Sequence, residues 1–137
     1  MAAAKDALKR LFQIRIEKRY SGPFKKYLRT LHEPSTRQLL SHSAPYIPDT
    51  FEGEAVVSVG KSVDLAYQGA SGIINAIPFG CMPGTIVAGV MHAVKREYDM
   101  PFITVPYDGT ESSTNGIQLE AFMDQAKSKA MRRNDST

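Results

Sequence analysis

Gly72-Ile73-Ile74-Asn75-Ala76-Ile77-Pro78-Phe79-Gly80-Cys81-Met82-Pro83-Gly84-Thr85-Ile86-Val87 is the stretch that sets the fold class. Residues 72–77 form an apolar run rich in isoleucine, which reads as a strand. Pro78 to Gly84 holds two prolines and two glycines and reads as a loop. Thr85 to Glu97 is apolar on most sides and reads as a helix. Strand, loop and helix in this order are one half of a parallel crossover unit.

Outward from this centre the pattern repeats. Downstream, Phe102-Ile103-Thr104-Val105 lies between Pro101 and Pro106 and predicts a strand. After Tyr107-Asp108-Gly109-Thr110 a helix is expected from about Asn115 to Ala130, with Met131 to Thr137 frayed. Upstream, the β-branched run Ala55-Val56-Val57-Ser58-Val59 predicts another strand, followed by Gly60 and a helix from Lys61 to about Tyr67 that Gly69 ends. The expected fold is α/β: over residues 53–130, a small parallel sheet of at least three strands with helices on both faces. Residues 44–52, with Pro45 and Pro48, read as a linker.

The residues before the linker read as a helical, basic segment over 1–43. A long helix is expected from Ala3 to about Tyr20, a break at Ser21-Gly22-Pro23, a second helix from Phe24 to Leu31, and a third that Ser35 caps and that ends near Ser43. Leu8, Leu11, Phe12 and Ile16 fall at helical spacing, which predicts an amphipathic face with the cations mostly elsewhere.

Charge is divided along the chain although the formal net charge is only +3. Up to Arg37, ten basic residues face three acidic ones, for +7; from Gln38 to Ala126 three face ten, for −7; the tail from Lys127 adds +3. A basic front end can bind nucleic acid by counterion release. An amphipathic helix resting on another surface is the preferred reading, and a basic helix against the acidic body suits contact within one molecule or between two chains, whether of a partner or of a second copy.

The 137 residues, 42% of them hydrophobic, suit one globular unit. Gly84 to Val94, broken by Thr85 and His92, falls well short of the ~20 apolar residues of a bilayer span. The start of the chain does not read as a secretory signal, so a cytoplasmic location and no membrane partner are expected. The single Cys81 excludes an internal disulfide and any metal site made only of this chain's thiolates.

In the α/β reading, each strand-to-helix loop opens on one carboxyl edge, where ligands of such folds bind. That edge is expected to collect Gly60 to Ser62, the loop around Cys81 and the loop around Asp108. Backbone amides and the positive end of a helix dipole would face the Cys81 sulfur and favour its thiolate. Burial as a small apolar side chain is the competing account of a cysteine beside Phe79 and Met82. A phosphatase loop fails because the Arg it needs six residues on is Val87. A thiol nucleophile needs a base, and His32, His42 and His92 are not placed beside the loop by sequence. The glycine that a P-loop places ahead of Gly60-Lys61-Ser62 is missing from Ala55-Val56-Val57-Ser58-Val59. Asp108-Gly109 reads first as a turn and second as a carboxylate aimed into the cleft. Asn75, polar inside an apolar strand, needs partners, and orienting the Cys81 loop would supply them.

The element Ile74 to Val87, with Pro78-Phe79-Gly80-Cys81-Met82-Pro83-Gly84 at its centre, resembles the C-terminal region of proteins related to 2-hydroxyacyl-CoA dehydratases and their activases. Pro101-Phe102-Ile103, Tyr107-Asp108-Gly109 and Leu119-Glu120-Ala121-Phe122-Met123 continue the likeness in order, and it spans roughly Tyr46 to Lys127. The resemblance implies a redox component in which Cys81 is one ligand of an iron-sulfur cluster, of 4Fe-4S or larger type, shared with another domain or chain. Asn75, Pro78, Phe79, Gly80, Met82, Gly84 and Asp108 would surround it. In that family an ATP-driven activase delivers a low-potential electron, and a ketyl radical on a CoA thioester lets water leave. The chain lacks the actin-like ATPase domain and all other cluster cysteines, so the isolated chain is expected to carry no cofactor. Its partners would be other domains or subunits of such a system. The alternative is a non-catalytic assembly module of that system.

Overall fold

The computed structural model describes residues 2–27, 33–51, 53–110 and 113–135. The chain forms two compact units, Met1–Glu33 and Pro34–Thr137. Among the described residues, no helix is long and apolar enough to cross a membrane.

In the first unit, helix α1 (Ala2–Ser21) runs into a 3₁₀ turn at Gly22–Phe24, where Pro23 cannot donate to a continuing helix. The N–H of Lys25 donates to the Gly22 carbonyl at 3.2 Å and that of Tyr27 to the Phe24 carbonyl at 2.8 Å. The helix expected from Phe24 to Leu31 is therefore turn as far as Tyr27, and its remainder lies outside the described residues. Leu8, Leu11, Phe12 and Tyr20 of α1 are all mostly exposed. Arg15 and Lys18 line the same shallow groove as Leu8, Leu11, Phe12 and Ile14, so the cations border the apolar face instead of avoiding it.

The second unit opens with α2 (Thr36–Ser43). Ser35 closes a capping box: its Oγ accepts from the Gln38 N–H, and its own N–H donates to Gln38 Oε1 at 2.9 Å. Then come α3 (Glu54–Tyr67), β1 (Ile73–Pro78), α4 (Met82–Tyr98), β2 (Phe102–Tyr107) and α5 (Ser113–Asp135).

The expectation of at least three strands is overturned. Only β1 and β2 form a sheet among the described residues, paired in parallel with Ile73 opposite Phe102 and Pro78 opposite Tyr107. Ala55-Val56-Val57-Ser58-Val59, read as the first strand, forms the first turns of α3. Ala55, Val56, Val59, Gly60 and Val63 are all buried, a helical recurrence that a run of valines conceals when read for β-propensity alone. Gly60 is the contact that fixes this outcome. A Cβ there would stand 2.1 Å from the Leu39 carbonyl oxygen, so α2 and α3 cross with backbone against side-chain-free backbone.

The core lies between the helices and one sheet face, where Val56, Val59 and Val63 of α3 meet Ile73, Val87, Met91, Val94 and Met100. α4 covers the face of Asn75 and Ile77, whereas α5 packs on the opposite face along β2, with Val105 buried and Phe122 against Gly72. The β1 half of that second face, Ile74, Ala76 and Pro78, is uncovered. The segment from Met131 does not fray as expected, since α5 continues to Asp135. Arg133 donates to the Gly69 carbonyl and Lys129 to the carbonyls of Tyr98 and Asp99, which tie the helix down.

Candidate functional site

The carboxyl ends of the two strands build a rim from one short turn. Cys81 N–H donates to the Pro78 carbonyl at 3.1 Å, closing a β-turn whose third residue, Gly80, has φ 74. That sign of φ is why a glycine stands there. Phe79 N–H donates to the Tyr107 carbonyl at 2.8 Å and fastens the turn to the end of β2.

Cys81 is then the N-cap of α4, in extended conformation, with Pro83 in the first turn. Its carbonyl accepts from both the N–H (3.0 Å) and the hydroxyl (2.9 Å) of Thr85. Its side chain makes no capping hydrogen bond, and the residue is partly exposed, between Gly80 and a Met82 that is 70% exposed. Cys81 is not among the buried core residues, although it is not fully exposed either.

Gly84 lets the first turn of α4 settle on β1, because a Cβ there would meet the Ile77 side chain at 2.3 Å. Asn75 anchors that turn from below, donating to the Gly84 carbonyl at 3.0 Å and to Thr104 Oγ1 at 3.3 Å. Pro78, Phe79, Gly80, Cys81 and Met82 thus follow one another along the rim, with the half-buried Asn75 and the buried Gly84 beneath it. Asp108 follows β2 nearby, but its carboxylate accepts from the N–H (2.9 Å) and hydroxyl (2.7 Å) of Thr110. Those bonds hold its carboxyl below the ordinary 3.8 and make it a local turn.

Gly60 to Ser62, expected on this edge, lie inside α3: Lys61 pairs with Asp64 at 3.4 Å and Ser62 donates to the Ser58 carbonyl. His92 lies eleven residues beyond Cys81, about 16 Å along the α4 axis. His42 stacks edge-on against Tyr67, and Tyr67 against Tyr98 at the far end of α4, while His32 lies outside the described residues. Neither described histidine serves Cys81 as a base. Among the described residues, no group of three or more His, Cys, Asp and Glu is placed to hold a metal ion.

Sequence reasoning missed a tyrosine cluster at the other end of α4. Tyr46 donates to Glu97 Oε2 at 2.5 Å, and Tyr98 donates to the Tyr67 hydroxyl at 3.2 Å. Burial, and then the bond to Glu97, raise the Tyr46 hydroxyl well above its ordinary value of 10.0. These residues come from three separated segments, so no local pattern announces them. An open groove of about 1120 Å³ between α4 and α5 was also missed; it is lined by His92, Lys95, Arg96, Asp124 and Arg132 among others.

Comparison with family models, curated proteins and solved structures gives no match.

Proposed function

We propose that this chain is a component of an iron-sulfur redox system related to 2-hydroxyacyl-CoA dehydratases and their activases, and that Cys81 supplies one ligand to a cluster shared with a partner. One observation carries the reading: the Pro78-to-Gly84 element that bears the resemblance folds as a strand-end turn with Cys81, partly exposed, as the N-cap of α4. One thiolate fits one ligand position. A complete site does not fit, because the described residues provide no further cluster of ligating side chains.

The cluster would supply one-electron transfer at low potential. The chain's own residues fix where the sulfur sits: Gly80 turns the backbone, Phe79 pins the turn to β2, and Asn75 holds the first helical turn through Gly84. Pro83 lacks an N–H, which leaves Met82 and Gly84 as the N–H donors among the first three residues of α4. Donors of this kind tune a cluster's potential.

The test is anaerobic reconstitution with ferrous iron, sulfide and thiol, in the presence of a dehydratase-type partner subunit. Iron, sulfide and visible absorption should appear in the complex and fall in Cys81→Ser. Equal cluster content in the variant would overturn the ligand role. A complex that forms without any cluster would favour the alternative, an assembly module, to which the exposed Leu8, Leu11 and Phe12 beside Arg15 and Lys18 already lend an observation.

A further inference from the structure

We propose that the free edge of β1 is a strand-docking site, which takes an extended segment of a partner polypeptide running parallel to β1 and hydrogen-bonded to the backbone of Ile74 and Ala76. Ile73 N–H donates to the Pro101 carbonyl and Phe79 N–H to the Tyr107 carbonyl, in a register that pairs Ile73 with Phe102. By the alternation of a parallel ladder, Ile73, Asn75 and Ile77 turn their backbone groups to β2, and Ile74 and Ala76 turn theirs outward. Both outward residues are exposed, Ile74 by 45%. Two successive outward donor-acceptor pairs at strand spacing are matched by another strand, as in β-augmentation.

The two edges of the sheet are treated differently. On β2, Pro106 has no N–H to offer, its carbonyl accepts from Asn115 Nδ2 at 3.2 Å, and α4 and α5 pack along the strand. β1 has none of the usual protections within its exposed length. From Leu65 to Val94 no Asp, Glu, Lys or Arg occurs, and Pro78 is the last residue of the strand. Isolated parallel pairs are also poor structures, since parallel sheets are normally larger and covered on both faces.

The direction follows from α3. It packs against α4, and its Val56, Val59 and Val63 share a core with Ile73 at the start of β1. That is the place of a crossover helix arriving from a parallel strand beyond β1. Among the described residues, α3 is preceded by α2 and a turn, so in this proposal the strand is supplied by another polypeptide. A parallel guest would bring its carboxyl end to the Pro78–Cys81 turn, next to the ligand position proposed above. Docking rests on backbone geometry alone and holds whether or not Cys81 binds a cluster.

The test is residue-resolved amide exchange on the full chain, with the blocked peptide Lys-Thr-Val-Ile-Val-Thr-Lys as probe and a nitroxide at its carboxyl end. The peptide should slow exchange at Ile74 and Ala76 by roughly tenfold and leave Thr104 unchanged. It should broaden the Met82 amide and not that of Gly72. Ala76→Pro, which removes an outward N–H and spares the ladder to β2, should abolish the response with the melting curve unmoved. Ile74→Lys keeps the outward backbone groups and should weaken the response far less than Ala76→Pro. Protection already present in the free monomer, protection that grows with chain concentration alone (a second copy on the edge), broadening at Gly72, or no response to the peptide would each overturn the proposal.

Discussion

The layer of α2, α3 and α4 and the strand rim are built on opposite terms. In the helical layer Val59, Met91 and Val94 have no exposure at all, and Gly60 lies with its Cα against the Leu39 carbonyl. On the rim, six residues beyond Ile73, the buried position of β1, Phe79 is 76% exposed, and Met82 is 70% exposed. Burial of this kind is what stabilises a small domain. The difference teaches that the helical layer holds the fold together, whereas the rim leaves the side chains of Phe79 and Met82 largely exposed.

The sharpest way to break this contrast is Gly60→Ala. Its Cβ would meet backbone, not a side chain that can rotate away, so a loss of about 3 kcal/mol in denaturant unfolding is expected. A fully stable variant would show that α2 and α3 do not cross as described.

Asn75→Ala probes the seam between the regions. It removes the bonds to Gly84 and Thr104, and the expected cost is about 1–2 kcal/mol, with faster alkylation of Cys81 as the first turn of α4 loosens. Unchanged alkylation would detach Asn75 from the rim. Phe79→Ser should give the smallest effect, within about 0.5 kcal/mol, because the ring is already in solvent. A larger loss would mean that the rim contributes to the core after all.

Some of this was legible beforehand. The strand at Ile73, the loop of two prolines and two glycines, the helix after it and the capping role of Ser35 are written locally, in propensity and turn chemistry. The Cys81 rim was legible for the same reason, and so was the turn at Asp108. The helical state of Ala55 to Val59 was not. Its valines favour a strand, and the preference that wins belongs to the whole of α3, in which Gly60 and Val63 complete a buried stripe against α2 and α4.

Sequence by itself determined the order of turns and caps, the place of the lone thiol at a strand-to-helix junction, and the uneven distribution of charge. Those properties depend on residues within a few positions of one another. Tertiary structure alone decided the number of strands, the docking of α5 through Arg133 and Lys129, and the assembly of Tyr46, Tyr67 and Tyr98 around Glu97. Such contacts join segments tens of residues apart, and their energy enters only once the chain has closed on itself.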